Sequence, residues 1–259
     1  MTAYERVQAA RAKGRPTAQR FIEGIFTDFV EMHGDRRFAD DQAVIAGIAL
    51  LHDMPVTVIG IEKGRDTAEK VRRNFGSVHP EGYRKALRQM KLAEKFGRPV
   101  ICLVDTSGAF CGVGAEERGQ GLAIAENMME MMTLKVPVIS VVIGEGGSGG
   151  ALALAVADQV WMLENSVYSV ISPEGGASII WKDAKKAREA SQCLRLTAED
   201  LLSFGVIERI ISESGGPEAV CAEMKAGFME VIGECKKMGV PAMLEARYEK
   251  YRKIGGETL

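Results

Sequence analysis

The sequence predicts an α/β fold, in which buried strands alternate with helices that cross from one strand to the next. Three apolar runs, at residues 54–61, 98–105 and 136–143, each contain Pro-Val and continue with β-branched residues. Runs that are apolar on both faces are typical of strands covered by helices on both sides. Helical segments separate the three runs, and glycine-rich loops follow the second and third.

The elements follow one another without a low-complexity linker, which favours one domain with helical ends. Between the strands we expect helices at 80–96 and 114–134, and after them two further strands at 159–163 and 167–171. After Ser214, two amphipathic segments begin at prolines and end at glycines, as helices commonly do.

The composition excludes several classes of protein. The chain has 259 residues, is 46% hydrophobic and 26% charged, and carries a net charge of −2, which does not favour a nucleic-acid partner. Its start has no apolar signal region, and no apolar run reaches the roughly 20 residues of a membrane helix. The five cysteines are scattered without a C-x-x-C pair, so we expect reduced thiols, no metal site and a cytoplasmic protein.

The loop after the strand at 136–143 reads GEGGSGGA and opens a helix, which is typical of an anion site built from backbone N–H groups. A P-loop is excluded because no Lys-Ser/Thr follows the last glycine. Gly144, Gly146 and Gly149 match G-x-G-x-x-G, with Glu164 at the place of a ribose-binding acid, so a dinucleotide site is one interpretation. An oxyanion hole and a simple tight turn are the others.

A second glycine-rich loop, DTSGAFCGVGAEERGQG at 105–121, follows the neighbouring strand and also opens a helix. Two such loops at adjacent strand ends can face one pocket from two sides. This arrangement favours a site for two oxyanions over a site for one dinucleotide.

Six segments resemble the α subunit of the carboxyltransferase component of bacterial acetyl-CoA carboxylase. They are GDRRFADDQAVIAGIA, KGRDTAEKVRRNFG, PEGYRKALRQMKLAEKF, DTSGAFCGVGAEERGQ, VIGEGGSGGALA and YSVISPEGGASI, in this order, and they cover roughly residues 26–211.

The resemblance implies a crotonase-like fold, a spiral of repeated ββα units around two oxyanion sites. Residues 1–259 are then a single carboxyltransferase domain with an N-terminal helical segment (1–25), a crotonase-like core (26–213) and C-terminal helices (214–259). The chain lacks most of the N-terminal extension of longer members. Ser107 and Cys111 depart from the family's second loop and are expected to make it less rigid, with Cys111 as a small packing residue.

The resemblance also implies a chemistry that needs no catalytic side chain. Carboxybiotin, delivered on a carrier protein, releases CO2; the biotin nitrogen then deprotonates acetyl-CoA, and the enolate attacks CO2 to give malonyl-CoA. The backbone N–H groups of Gly149 and Gly150 are expected to stabilise the biotin ureido oxygen, and Val113 and Gly114 to line the site. We expect Gly150→Val to lower the rate about a hundredfold with little loss of stability.

The family implies partners for this subunit: a carboxyltransferase β subunit in an α2β2 complex, the biotin carboxyl carrier protein and biotin carboxylase. Zinc is expected only on the β subunit, and no cofactor is expected to be covalently bound to this chain. Two alternatives remain open at this point. One is another biotin-dependent acyl-CoA carboxyltransferase or decarboxylase subunit, and the other is an NAD-binding oxidoreductase.

The stretch from residue 63 to residue 98 is rich in Lys and Arg. Lys63, Arg65, Arg72 and Arg73 are candidates for binding the phosphates of CoA, and a solvated helix face is the alternative interpretation. Glu174, in the segment SPEGG, is either an acid or base near the pocket or a capping residue.

Overall fold

The computed structural model describes residues 1–256, so residues 257–259 of the predicted C-terminal helical region lie outside the described part. The strands are β1 (Thr27–Glu31), β2 (Val44–Leu51), β3 (Met54–Ile61), β4 (Val100–Thr106), β5 (Val138–Gly147), β6 (Gln159–Leu163), β7 (Val167–Ser169) and β8 (Arg209–Ile211). The helices are α1 (Ala3–Ala10), α2 (Ala18–Ile25), α3 (Thr67–Arg72), α4 (Pro80–Phe96), α5 (Val113–Glu117), α6 (Gln120–Thr133), α7 (Ser148–Leu152), α8 (Pro173–Trp181), α9 (Ala187–Cys193), α10 (Ala198–Ser203), α11 (Gly216–Met238) and α12 (Val240–Lys253).

The strands form one sheet in the order β1-β2-β3-β4-β5-β6-β8, with β7 paired to the far end of β5. The β1–β2–β3 edge is antiparallel, and the strands from β3 to β8 run parallel. The carboxyl ends of β3, β4 and β5 therefore meet at one edge of the sheet.

Both faces of the sheet are buried, as the continuous apolar runs predict. Ile59, Val100 and Val138 point to the face covered by α4 and α6. Their neighbours Val58 and Ile101 point to the opposite face, where α2 and α11 pack. This alternation explains why strands with no polar face occupy the centre of the sheet.

Several predicted elements coincide with the observed ones, and others differ for local reasons. The strands at 54–61 and 159–163 and the helix at 80–96 have the predicted bounds. The single helix predicted at 114–134 is wrong, because Gly119 adopts a φ of +81° and separates α5 from α6. β5 continues to Gly147 through the glycines, since they pair with β4 and β7.

The terminal helices pack on this same sheet. α2 and α11 cover one face, where Phe228 stacks on Trp161 with 5.2 Å between ring centroids. α12 is anchored at the opposite edge from the glycine loops by Arg247, whose guanidinium is bound to Asp158 at 2.8 Å. No helix in residues 1–256 is long and apolar enough to cross a membrane.

Candidate active site

A mostly buried cluster of charges lies where β3, β4 and β5 end. The Lys63 ammonium is 2.7 Å from Asp105 Oδ1 and 2.7 Å from Glu145 Oε2. Burial alone would lower the pKa of Lys63, but the two carboxylates outweigh it and raise the pKa above its usual value. Burial likewise raises the pKa of Glu145, but Lys63 and Arg11 outweigh it and lower the pKa of that carboxyl below its usual value. Lys63 and Glu145 therefore stay charged around neutral pH.

Asp105 also holds the start of the glycine loop. The N–H group of Glu145 donates to Asp105 Oδ1 at 2.8 Å. The Cα of Gly144 faces the same carboxylate so closely that a Cβ at this position would be 2.4 Å from Oδ1. Gly144 is thus required by the close approach of Asp105.

The two glycine-rich loops pack directly against each other. A Cβ on Gly147 would be 2.2 Å from the Ser107 carbonyl oxygen, and a Cβ on Gly150 would be 2.5 Å from the Ala109 nitrogen. Thr106 closes the supporting turn, because its Oγ1 accepts from the Gly108 N–H group at 3.0 Å. The residues of the second loop that support the first are therefore those at 107–109.

Gly149 and Gly150 occupy the second and third positions of α7, whose N-cap is Gly147. N–H groups in the first turn have no acceptor within their own helix, and they lie at the positive end of its dipole. Gly149 is partly exposed, and Gly150 is buried. Tyr83 Oη donates to the Gly150 carbonyl at 3.3 Å, which holds this turn from below.

Gly150 therefore cannot accept a side chain, and the expectation that Gly150→Val costs little stability is wrong. The added carbon would collide with the backbone of residue 109. At Gly149, in contrast, a Cβ would lie 3.6 Å from Ile124, which is an ordinary contact distance.

Val113 and Gly114 begin α5, at the other end of the second loop. Val113 is 76% exposed, and the Gly114 carbonyl accepts from Arg118. In the described loop, the contacts with Gly147 and Gly150 come instead from residues 107–109. Cys111 is exposed, so its expected role as a packing residue is wrong.

The four basic residues predicted to bind phosphate lie in three different environments. Lys63 is buried in the charge cluster, and Arg73 donates to the Gln42 carbonyl at 2.8 Å. Arg65 and Arg72 have exposed side chains and flank one carboxylate, Glu69, at 2.8 and 3.9 Å. The structure thus brings Arg65 and Arg72 together, while Lys63 and Arg73 are engaged elsewhere.

A cavity of about 580 Å³ lies at this edge of the sheet. It lies between the N-terminal segment and the ends of β3, β4 and β5. The side chains of the charge cluster form part of its wall, and Arg65 and Phe75 also line it. Arg72 lines a separate cavity of about 320 Å³ with Asp40 and His79.

Arg11 links the N-terminal helix to the site. Its Nε is 2.6 Å from Glu145 Oε1, and its Nη1 is 2.8 Å from Glu174 Oε1. The hydrogen bond from Arg11 lowers the pKa of Glu174 below its usual value, so this carboxylate is charged and paired at neutral pH. Glu174 lies in the first turn of α8, where a carboxylate also stabilises the helix.

The glycines of the G-x-G-x-x-G match do not form a dinucleotide site. The Asp105 carboxylate occupies the space beside the Cα of Gly144, and a Cβ on Gly146 would lie 2.8 Å from the Tyr168 ring. Glu164 accepts from the Glu213 N–H group at 3.2 Å. The backbone of Gly144 and Gly146 thus has no room to approach a pyrophosphate, and the structure does not support this alternative.

Sequence analysis missed Asp105, Glu145, Arg11 and Tyr83 as parts of the site. An acid at the end of a buried strand is a usable signal for Asp105 and Glu145. Arg11 has no such signal, because its partners are 134 and 163 residues away.

The chain matches the family described as acetyl co-enzyme A carboxylase carboxyltransferase-like over residues 1–255. It is 60% identical over 256 residues to the acetyl-coenzyme A carboxylase carboxyl transferase subunit alpha of Ruminiclostridium cellulolyticum, covering 98% of each chain. It is 54% identical to the beta/alpha subunits protein of Natranaerobius thermophilus, with 98% of this chain covering 43% of that one. Among solved structures it is similar to transcarboxylase 12S, with a TM-score of 0.70 and 18% identity, covering 86% of this chain and 44% of the other.

The parallel sheet, the paired glycine loops at its carboxyl edge and the likeness to transcarboxylase 12S define a crotonase-like α/β fold. The match to a family model and the sequence identity to its members then identify one family within this fold class. The chain belongs to the family of acetyl-coenzyme A carboxylase carboxyl transferase alpha subunits, which are transferases.

Proposed function

We propose that this chain supplies the biotin-side half of a carboxyltransferase site that moves CO2 from carboxybiotin to acetyl-CoA and forms malonyl-CoA. The observation that carries the proposal is the pair of first-turn N–H groups at Gly149 and Gly150, set on a wall of packed backbone. Carboxybiotin supplies the CO2. After the CO2 is released, the biotin nitrogen is the base that deprotonates acetyl-CoA. The two glycines donate to the ureido oxygen as negative charge develops on it.

The supporting structure keeps these donors rigid. The loop at 107–109 lies so close to Gly147 and Gly150 that a Cβ at either position would overlap its backbone. Donors held in place before the reaction need no reorganisation in the transition state, which is the source of their effect. The site therefore has no need of a titrating side chain from this subunit.

A pair of substitutions at Gly149 tests the donor directly. Gly149→Pro deletes the N–H group at a first-turn position, where helices tolerate proline. Gly149→Ala keeps the N–H group and places its methyl at an ordinary distance from Ile124. We expect Gly149→Pro to lower kcat about a hundredfold or more and Gly149→Ala to change it far less. Equal activity of the two variants would contradict the proposal.

We propose that the second oxyanion site, which holds the enolate, lies on a β subunit, and that the two form an α2β2 complex. The beta/alpha name of the Natranaerobius relative supports a β partner. The carrier protein and biotin carboxylase are proposed as transient partners in the same ATP-dependent pathway, the first committed step of fatty acid synthesis. Zinc is proposed for the β subunit only.

The assay is malonyl-CoA decarboxylation in the presence of free biotin. We expect the αβ pair to be active and this chain alone to show little or no activity. Full turnover by the isolated chain would contradict the proposal for a divided site. The five cysteines, all within the described residues, are free thiols, which supports the proposed cytoplasmic location.

Acyl-CoA binding on this subunit is proposed for the exposed arginines. Among Lys63, Arg65, Arg72 and Arg73, only Arg65 and Arg72 have side chains more than half exposed in the ion pairs they form. Because both flank Glu69, one phosphate can replace this carboxylate as their shared partner.

Replacing Arg65 and Arg72 together by alanine is expected to raise KM for acetyl-CoA about tenfold with little change in kcat. Arg252→Ala, an exposed arginine on α12, is the matched control. An unchanged KM in the double variant would assign these arginines to a solvated surface.

A further inference from the structure

The charge cluster of Lys63, Asp105 and Glu145 has no part in the chemistry proposed above, yet its three side chains are closely paired and shielded from solvent. The three side chains are 18%, 7% and 12% exposed, and the ammonium contacts both carboxylates at 2.7 Å. Burying three charges is costly unless each is paired, so a cluster of this kind needs a reason.

We propose that Lys63 and Asp105 are positioning residues that fix the loop at 144–150 and so place the N–H groups of Gly149 and Gly150. The inference rests on the proposed function of these two glycines. Neither Lys63 nor Asp105 touches the reacting groups in this role, since both act through the backbone of the loop.

The path from the cluster to the donors is short and made of backbone contacts. Asp105 binds the Glu145 N–H group at 2.8 Å and lies flat against Gly144. The chain after Asp105 then supports Gly147 through Ser107 and Gly150 through Ala109. A shift of Asp105 therefore moves both loops, because no compressible side chain lies between them.

Lys63 is fixed in turn by the residue before it. The buried carboxylate of Glu62 accepts from the Gly64 N–H group at 2.7 Å and from the Gln19 N–H group at 2.7 Å. These bonds hold the turn after β3 against α2. The ammonium is thus presented to Asp105 and Glu145 from a rigid base.

Removal of the ammonium leaves two buried carboxylates facing each other. Like charges at this distance repel, and a buried charge without its partner is strongly unfavourable. Glu145 keeps Arg11, but Asp105 loses its only cationic partner among the described ion pairs. Asp105 is therefore expected to move, and the glycine loop to move with it.

This role differs in a measurable way from binding a phosphate of CoA. A positioning residue affects groups that bind charge formed only in the transition state, so its loss lowers kcat. A phosphate ligand contributes to binding of the substrate, so its loss raises KM. The two assignments of Lys63 are separated by this difference.

The test uses the complex with the β subunit and the biotin-dependent decarboxylation of malonyl-CoA. Lys63→Met is expected to lower kcat about a hundredfold, as misplacement of a reacting geometry by about 1 Å does, and to leave KM nearly unchanged. Adding Asp105→Asn restores the balance of charge and keeps an oxygen acceptor for the Glu145 N–H group. The double variant is expected to recover about tenfold of the lost kcat and to remain about tenfold below wild type.

Lys250→Met is the matched control. Lys250 is also a mostly buried lysine, 12% exposed and 2.8 Å from the Glu208 carboxylate, but it lies on α12 away from the loops. Its loss is expected to lower stability without lowering kcat. Hydrogen exchange of the peptide at 144–152 gives a readout independent of activity, and we expect faster exchange in Lys63→Met only.

A folded Lys63→Met complex with normal kcat, or with an effect confined to KM, would overturn the inference. If Lys63→Met does not assemble, the charge-balanced double variant tests the inference instead. We expect its kcat to be about tenfold lower than that of the wild-type complex, and an unchanged kcat would contradict the positioning role of the cluster. A wild-type complex without biotin-dependent activity would instead remove the proposed function, while the exchange measurement would still report on the loop.

Discussion

Two buried cations lie at opposite edges of the sheet, and they are surrounded very differently. Arg247 at the amino ends of β5 and β6 uses its donors on one carboxylate, that of Asp158, and on three backbone carbonyls. Lys63 at the carboxyl ends faces two carboxylates and forms part of a cavity wall.

The difference separates a structural anchor from a residue that shapes a site. All five guanidinium donors of Arg247 have partners, its side chain is fully buried, and its charge is balanced by one acid. Lys63 is outnumbered by its acids, and the excess negative charge is shared with Arg11. A buried cation can thus stabilise the fold at one edge and set a loop at the other.

The largest expected effect breaks the anchor. Arg247→Met removes the cation from Asp158, which keeps only the Val138 N–H group among its described donors, and takes the Arg247 donors from the carbonyls of residues 131, 134 and 136. Loss of one member of a buried pair typically costs about 3–5 kcal/mol. Urea unfolding should show this loss, while kcat of the folded complex stays unchanged, because the glycine loops lie at the other edge. A large fall in kcat of the fully folded Arg247→Met complex would contradict the assignment of Arg247 as a purely structural anchor.

A smaller effect sharpens the comparison at the site. Arg11→Ala removes the bridge from Glu145 to Glu174, and because Arg11 is partly exposed the stability loss should be at most about 1 kcal/mol. We expect kcat to fall about tenfold, since Glu145 then depends on Lys63 alone. Lys13→Ala, at an exposed residue of the segment between α1 and α2, is the control. Equal kcat for Arg11→Ala and Lys13→Ala would contradict a role of Arg11 in positioning Glu145 and would show that α1 only covers the site.

The smallest effect concerns pH. The pKa of Glu145 is lowered from its usual 4.5, so the ionised carboxylate stabilises the folded state above that value. The pKa of Lys63 is raised from its usual 10.5, so its contribution is complete below that value and lost only above it. Stability measured from about pH 6 to about pH 9 should not change through Lys63 and Glu145, and should fall through them only below 4.5 or above 10.5. A transition near pH 7 in wild type that disappears in Lys63→Met would contradict this assignment.

Much of the fold is predictable because strong local signals bound its elements. β3, β6 and α4 are apolar or amphipathic runs set off by proline, glycine or polar residues, and their bounds follow from those signals. β1 has no such signal, since most of its residues are exposed at the edge of the sheet. The break between α5 and α6 depends on one glycine with a positive φ, and the sequence around it reads as a continuous helix.

The sequence predicts each glycine-rich loop of the site separately, but it does not predict how the two loops pack against each other. The two glycine loops are visible because each follows a buried strand. Which glycine can carry a side chain is not visible, because it depends on the approach of residues 105–109 in the folded chain. The partners of Lys63 are 42 and 82 residues away, so its role follows from the register of three strands rather than from its neighbours in sequence.

The bridge made by Arg11 also bears on the order in which the molecule is completed during synthesis. Arg11 leaves the ribosome well before its partners Glu145 and Glu174, which are made 134 and 163 residues later. Contacts so distant along the chain close slowly, and the N-terminal segment has to wait for them. The segment that carries Arg11 is therefore among the last to reach its final position, and a nascent chain cannot close this side of the cavity until α8 has emerged.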